Sequence, residues 1–431
     1  MRYAALLLVV LLAAPQADPV VVLDNVRLVD GTGRPPIDAA RIVIEGERVA
    51  AAGPLDAVAA PAGADRLDLS GRTVLPGLVD AHFHIENAPP DPELALLQLA
   101  NGVTTFRDPG QWDEYNAGLR RMMAADGLRG PRIHFTGPHI DGPGPTPYPR
   151  DSVVARDADE AREFAERAVR QGASALKIYF RLPLGSARAV IDVCRARGVI
   201  CTAHLEGLDA GVLFEHGLHG VEHVTSLGPA LLPQLERERY RQAVLADNAA
   251  RSEGRYEVFA DLDFDSPDAR RLWAIVGTHR PFIDATLAVF ERRPGVPEGK
   301  GDAERIARRA AGFRKMLEAT RRAFEAGGRI VVGGHTSVPF AARGEAVWRE
   351  MELLADAGLT PMQVIAAATA NGAAFLGRGK DLGTIEPGKL ADLVVFTGNP
   401  ASRIGDIRTV ERVMAGGRWV DRAKYRNGSG R

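Results

Sequence analysis

Cysteine, aromatic residues and net charge are all scarce in this sequence. Its 431 residues include two cysteines and 6% aromatic residues, and the formal net charge is −1. We expect Cys194 and Cys201 to be free, buried thiols, because Cys194 falls in a predicted helix and Cys201 begins a predicted strand; no Cys-x-x-Cys metal site exists. Basic and acidic residues are mixed along the chain, which argues against a nucleic-acid partner.

A membrane-spanning run is also lacking. Residues 4–14 form an apolar stretch behind Arg2 that is too short for a confident span, and residues 15–17 supply a small-residue cleavage site. This pattern is typical of a secretory signal peptide over residues 1–17, with an uncleaved anchor as the alternative. We expect an exported mature protein, periplasmic or secreted, with no membrane span.

The length of 431 residues is sufficient for a large barrel with an appended domain. Residues 20–75 are rich in β-branched residues between turns, which predicts a small β module. From residue 78 onward, strands alternate with helices, which predicts a parallel sheet, and eight such units would close a (β/α)8 barrel. Residues 229–278 break this rhythm and are interpreted as an insertion, with a lid over the site as one interpretation.

The predicted fold is therefore α/β, a TIM-like barrel with a composite β-sandwich built from both ends of the chain. Residues 18–76 and 381–425 are assigned to the sandwich, and residues 77–380 to the barrel. The return to short strands after residue 383 is what suggests that the two ends meet.

The organising stretch is residues 75–84, LPGLVDAHFH. Pro76 and Gly77 predict a turn before a short buried strand. His82 and His84 stand two apart at its end, so both imidazoles face one side and can reach one metal ion. The alternative is a pair of ordinary histidines, and the pair alone does not decide between the two.

Further polar side chains end apolar runs, where barrel enzymes carry their chemistry. They are Lys177, His204, His223 and His335. A single histidine of this kind is more often a core residue, but the whole set at one end of a barrel favours a metal site. Lys177 either extends to the rim or lies beside metal, with a lowered pKa or carboxylated by CO₂.

These motifs together resemble the metal-dependent amidohydrolase superfamily, in its imidazolonepropionase-like and prolidase-like branch. The resemblance covers nearly all of the mature chain. It rests on residues 75–84, 102–108, 177, 204, 223, 358–361 and 383–394. In the family, the last of these segments returns the chain from the barrel to the β-sandwich.

The resemblance implies a binuclear site, most often zinc. His82 and His84 would hold the more buried ion, and a carboxylated Lys177 would bridge the two ions. His204 and His223 would hold the second ion. A metal-bound hydroxide would attack a carbonyl and release an acid and an amine.

One position departs from the family pattern. After the last barrel strand the family usually has Gly-Thr-Asp, and its Asp ligates metal and shuttles a proton. Here His335 stands at that place, and Asp80 and Asp108 do not obviously substitute. Neutral imidazole can ligate a metal or act as a general base, but it lacks the carboxylate's charge. A site with one metal is therefore a second possibility.

The function expected first is an exported metal-dependent hydrolase that cleaves an amide-type C–N bond in a small molecule. A dipeptide or N-acyl amino acid is the first choice of substrate, and a cyclic amide the next. The alternative is a catalytically weak or inactive barrel that binds a ligand, because His335 replaces the Asp. His139, in the loop after the third strand, and Tyr179 are candidate substrate contacts, and homo-oligomerisation is left open.

Overall fold

The computed structural model describes residues 19–85, 92–125, 130–144, 148–296 and 302–426. The predicted signal peptide, residues 1–17, lies outside these ranges. In the part of the chain so described, no helix combines the length and the apolar character that crossing a membrane requires.

The strands are β1 (Val20–Leu28), β2 (Ile37–Glu45), β3 (Arg48–Pro54), β4 (Asp65–Asp68), β5 (Thr73–Pro76), β6 (Leu78–Asp80), β7 (Val103–Asp108), β8 (Arg132–Phe135), β9 (His139–Asp141), β10 (Ser152–Val154), β11 (Ala175–Ile178), β12 (Ile200–Ala203), β13 (Gly220–Glu222), β14 (Phe282–Asp284), β15 (Arg329–Val331), β16 (Leu393–Phe396), β17 (Val410–Ala415) and β18 (Arg418–Trp419).

The helices are α1 (Pro92–Ala100), α2 (Asp113–Ala125), α3 (Ala158–Arg170), α4 (Leu184–Arg197), α5 (Ala210–His216), α6 (Gly228–Leu231), α7 (Gln234–Ala246), α8 (Asn248–Ala260), α9 (Pro267–His279), α10 (Leu287–Phe290), α11 (Ala303–Glu325), α12 (Ala346–Asp356), α13 (Pro361–Ala366), α14 (Gly372–Phe375) and α15 (Arg422–Arg426).

The two ends of the chain share one β module, as the sequence predicts. Strands β1 to β5 join β16 to β18 in an eight-stranded sheet of order β18-β17-β16-β5-β1-β2-β3, with β4 beside β1. The junction is the antiparallel pair β5–β16, in which Thr73 lies opposite Phe396. Apolar side chains such as Leu23, Ile42 and Leu393 form the core of this module.

The barrel is a ring of parallel strands in the order β6-β7-β8 and then β11-β12-β13-β14-β15, and the short strands β9 and β10 extend the second arc beside β11. Backbone hydrogen bonds connect the two arcs at both gaps. Ser174 N–H donates to the Phe135 carbonyl at 3.0 Å, and Ala81 N–H donates to the Val332 carbonyl at 2.8 Å. The last strand therefore neighbours the first, and the carboxyl ends of all eight strands share one face.

Helix ends follow local chemistry that is visible in the sequence. Gly198 ends α4 in the left-handed conformation with φ 66°, where glycine avoids a Cβ clash. Thr360 and Gln363 form a capping box at the start of α13, with Pro361 in its first turn. Cys194 and Cys201 are free and buried, which confirms the prediction made for them.

The segment 229–278 contains parts or all of α6 to α9. Helix α8 packs against α11, the long helix between β14 and β15. Two arginines of α8, Arg251 and Arg255, reach the cavity at the carboxyl face of the barrel. This segment therefore forms part of the wall around the site.

Candidate metal centre and active site

Closure of the ring brings the predicted histidines together at one place. His82 and His84 follow β6, and their Nε2 atoms lie 3.2 Å apart. The ring of His82 lies 4.7 Å from that of His223 and 5.2 Å from that of His335, between centroids. The His204 ring lies 4.5 Å from the His223 ring. All five histidines thus form one cluster, although they come from four different strand ends.

Two groups of side chains in this cluster have the spacing of a metal site. One is His82, His84 and His335, and the other is His82, Glu222 and His223; in each, the ligand atoms lie within 4.8 Å of one another. Imidazole nitrogens with one carboxylate are donors that zinc-like ions accept. The residues present therefore fit a divalent metal.

The predicted ligands His204 and Lys177 lie beside these groups and have protein partners. His204 Nε2 lies 2.9 Å from an oxygen of Glu206. Lys177 Nζ lies 2.6 Å from Glu222 Oε2, and both side chains are buried. Glu222 also accepts hydrogen bonds from Arg107 at 2.8 Å and from the Thr202 hydroxyl at 2.6 Å.

Burial holds the histidines of the cluster in the neutral form. It lowers the pKa of His82, His84 and His223 well below the ordinary value, and nearby cations add to the effect. The pKa of His204 and of His335 falls to about 4, again chiefly through burial. Neutral imidazole is the form that ligates metals, so this environment suits the site.

The charge on Glu222 is stabilised by its cationic neighbours. Burial alone would raise its pKa, but Arg107 and Lys177 outweigh burial and bring the pKa to about 2. Burial lowers the pKa of Lys177, an effect that Glu222 opposes. Glu222 is therefore an anion in the centre of the barrel, and Arg107 and Lys177 compensate for it.

Several residues around the cluster adopt left-handed backbone conformations that are uncommon outside glycine. The φ angles are 64° at His223, 51° at His335 and 46° at Thr286. Contacts hold them in place, since Thr286 Oγ1 lies 2.7 Å from His223 Nδ1 and His335 N–H donates to the His82 carbonyl at 2.7 Å. Such conformations cost on the order of 1–3 kcal/mol each and concentrate at functional sites.

Asp80 and Asp284 support His82 from behind. Asp80 Oδ1 accepts from the backbone N–H groups of His82 at 3.0 Å and Gly334 at 2.8 Å. Asp284 Oδ2 lies 2.8 Å from His82 Nδ1. Gly333 is required beside them, because a Cβ there would overlap the carboxylate of Asp284 and the His82 Cβ. The two carboxylates thus fix the position and tilt of the His82 ring.

A cavity of about 500 Å³ opens on the cluster. His139 and Tyr179 line it, with their rings stacked at 4.5 Å and 6°. The predicted loop position of His139 is wrong. His139 begins β9, a three-residue strand that pairs with β10 in parallel, with His139 opposite Ser152. Strand β9 also pairs with β11, and the Tyr179 N–H donates to the Ile140 carbonyl at 2.9 Å, so the backbones of His139 and Tyr179 lie side by side.

Sequence reasoning missed several residues of the site. Arg251 and Arg255 line the cavity. Four others are buried beside the histidine cluster: Arg107, Glu206, Glu222 and Asp284. His216 and His219 do not line the cavity: His216 pairs with Asp192, and His219 Nδ1 accepts from the Cys201 backbone N–H.

Residues 73–420 match the amidohydrolase family. This chain therefore belongs to the amidohydrolase family. The match confirms the predicted family and the predicted enzyme class, hydrolases that act on carbon–nitrogen bonds.

Known relatives differ in how much of the chain they match. The imidazolonepropionase of Streptomyces coelicolor is 24% identical over 409 residues, which cover 83% of this chain and 85% of the relative. The imidazolonepropionase of Micrococcus luteus is 39% identical over 110 residues, and that match spans 27% of its length.

Solved structures share the fold over nearly the whole chain. A prolidase-like protein of Bifidobacterium longum has a TM-score of 0.72 at 25% identity and covers 94% of this chain and 95% of its own. A Xaa-Pro dipeptidase with methionine bound in its active site has a TM-score of 0.71 at 20% identity, covering 93% and 99%. The predicted barrel and composite β module are thus confirmed.

Proposed function

We propose that this chain is a divalent-metal-dependent hydrolase that cleaves an amide-type C–N bond in a dipeptide or an N-acyl amino acid. The observation that carries the proposal is the cluster in which the buried His82 and His223 and the half-buried His84 and His335 meet beside Glu222. Family membership supplies the bond class, and the prolidase-like and dipeptidase structures suggest the substrate class.

His82, His84 and His335, and His82 with Glu222 and His223, would hold the metal, most simply zinc. A divalent ion in such a site supplies a Lewis acid for a carbonyl and makes water more acidic. We include one or two ions in the proposal, because the two groups share His82.

His335 is the proposed proton carrier. It lines the cavity, and its Nδ1 is buried with no hydrogen bond to another residue of the described ranges. Neutral imidazole has one lone pair, which serves either a metal or a proton. As proton carrier, His335 would leave the metal to the other ligands, take a proton from the attacking water and return it to the leaving nitrogen. His335 would thus replace the carboxylate that the family usually places here.

Carboxylation of Lys177 is part of the proposal. The neutral amine is the form that reacts with CO₂, and burial favours that form. The ion pair with Glu222 opposes it, because Glu222 stabilises the ammonium. Mass spectrometry of the intact protein, loaded with metal with and without bicarbonate, tests this step.

We also propose that residues 1–17 direct export and are then removed. The amino-terminal sequence of protein recovered from the periplasm or the medium tests this. A mature chain beginning near residue 18 agrees with export, and retention of Met1 in the cytoplasm contradicts it.

The experiment that tests the function is elemental analysis of the purified protein together with a screen of dipeptides and N-acyl amino acids. We expect about one or two zinc-like ions per chain and turnover. His82→Ala and His223→Ala, which each remove a ligand of the proposed site, should abolish both, whereas His216→Ala, a histidine outside the cluster, should change neither. Absence of bound metal and of turnover after metal addition would leave a ligand-binding barrel instead.

A further inference from the structure

Arg251 is a buried cation that forms no ion pair with a residue of the described ranges, although the charge of Glu206 stabilises it at a distance. It lies on α8, it is 9% exposed, and it lines the cavity. Its Nη1 donates to the Tyr179 hydroxyl at 3.1 Å, and its guanidinium lies 5.0 Å from the centre of the Phe180 ring. Its Nε has no hydrogen-bond partner among residues of the described ranges, and no ion pair within them includes Arg251.

Arg255, one turn further along α8, does have a carboxylate partner. It donates to Glu206 Oε1 at 2.6 Å. Glu206 also accepts from the Tyr240 hydroxyl at 2.8 Å and lies 2.9 Å from His204 Nε2. The carboxylate of Glu206 is therefore hydrogen-bonded by other residues, and it stabilises Arg251 only at a distance. Within the described part of the chain, no carboxylate contacts the guanidinium of Arg251, which lines the cavity.

An unpaired buried guanidinium is costly, and an anion that enters the cavity would remove that cost. Arginine binds carboxylates through two parallel hydrogen bonds, and Arg251 has donors to spare. The Tyr179 hydroxyl accepts from Arg251, so its own proton is available to a second acceptor. Together the two side chains offer a site shaped for a carboxylate.

This site shares the cavity with the histidine cluster. The Tyr179 ring lies 4.9 Å from the His204 ring and stacks on His139. The volume of about 500 Å³ is in the range of small-molecule sites. One small molecule can therefore place a carboxylate at Arg251 and an amide at the histidines.

We propose that Arg251 and Tyr179 bind a free carboxylate of the substrate, so that the enzyme prefers N-acyl amino acids and dipeptides to the same molecules with the carboxylate blocked as an amide. The inference rests on the proposed function for its scissile bond. The insertion that contains α8 would then select the substrate, while the strand ends carry the chemistry.

Matched probes test this. The probes are N-acetyl-L-alanine and L-alanyl-L-proline, each compared with its C-terminal amide, on the metal-loaded enzyme. We expect the wild type to prefer the free acids, and Arg251→Met to lower kcat/KM for them by roughly 10- to 100-fold while hydrolysis of the amides falls clearly less, so that the preference is lost. Arg251→Lys should recover part of the loss. Arg308→Met is the control, because Arg308 pairs with Glu257 and Asp261 outside the cavity.

Equal loss for acids and amides in Arg251→Met, or no loss, would overturn the carboxylate site. If no probe is hydrolysed, calorimetric titration with the acids separates the two proposals. Binding to wild type that is lost in Arg251→Met supports the carboxylate site although the hydrolase proposal fails, and equal or absent binding overturns it. If Arg251→Met does not fold, Tyr179→Phe takes its place in the same comparison. We expect Tyr179→Phe to lose the preference for the free acids over the amides.

Discussion

The Asp284 carboxylate lies 2.8 Å from Nδ1 of His82, and both side chains are fully buried. With the proton on Nδ1, the other ring nitrogen, Nε2, presents its lone pair towards His84 Nε2, 3.2 Å away. A carboxylate behind a ligating histidine fixes its tautomer and makes it a stronger donor. Asp284 ends β14, the strand beside β15. A buried carboxyl group is therefore present one strand away from the position where the family usually has Asp and this chain has His335.

Asp284→Asn should therefore weaken metal binding by roughly 10- to 100-fold. Burial and the neighbouring Glu222 raise the pKa of Asp284 well above its ordinary value, and a metal ion on His82 would favour the ionised form. The amide keeps the shape and one acceptor but cannot supply that charge. Titration of the protein with zinc against a competing chelator measures the change. Asp392→Asn is the control, because Asp392 is a buried carboxylate of the β module that accepts from the Gly416 N–H. Asp392→Asn should lower stability and leave zinc affinity unchanged. Equal zinc affinities for the wild type, Asp284→Asn and Asp392→Asn would show that Asp284 does not contribute to the metal site.

His335→Asn should lower turnover far more than stability. Asparagine tolerates the left-handed φ of 51° at this position, so the backbone is not strained by the change. Loss of the imidazole removes the proposed proton carrier, which is worth roughly 10²- to 10⁴-fold in rate. We expect kcat to fall by that factor and the free energy of unfolding to change by about 1 kcal/mol or less. A variant that turns over as fast as wild type would exclude His335 from proton transfer.

The histidine cluster could be predicted because each ligand candidate follows an apolar run. The same signal marks Asp284, which follows Phe282 and Ile283 at the end of β14, and sequence reasoning passed over it. Glu222 stands next to His223 and was likewise visible. Arg251 carried no such signal: in a helix with several charged residues it resembles a solvated arginine, and only the packing of α8 beside the cavity buries it.

Closure of the barrel could not be derived from local patterns. The hydrogen bond from Ala81 to Val332 joins the first and last strands, and no periodicity encodes which strands will be neighbours. Strand β9 escaped prediction because three residues between Gly137 and Gly142 are too few to show alternation. The composite β module was predictable because β-branched runs recur at both ends of the chain.

Arg107→Met should destabilise the protein by about 3–5 kcal/mol. Arg107 is 1% exposed and donates to Glu222 at 2.8 Å and to the Ala81 carbonyl at 2.8 Å, so its loss leaves a buried anion with one cation fewer. Urea unfolding measures the change. The control is Arg132→Met, since Arg132 pairs with Asp392 from a side chain that is 29% exposed. It should cost clearly less, and equal costs would mean that Glu222 does not depend on Arg107.

Glu350 should make stability fall with rising pH. It is buried on α12, where it accepts from the Ala288 N–H at 2.7 Å, and burial raises its pKa to about 8 from an ordinary value of 4.5. Between those two pH values the folded protein keeps the proton and the unfolded chain has lost it. The free energy of unfolding therefore decreases by about 1.4 kcal/mol per pH unit through this group.

Glu350→Gln cannot titrate, so its stability relative to wild type should rise steadily from pH 5 to pH 8 in urea unfolding. Glu352→Gln is the control on the same helix. Glu352 hydrogen-bonds to Arg349 and Arg408; burial opposes their effect, but the two arginines lower its pKa, so it is ionised in both states across this range. Its stability difference from wild type should stay constant with pH. A constant difference for Glu350→Gln as well would show that Glu350 is ionised in the folded protein, with a cation or water compensating for its charge.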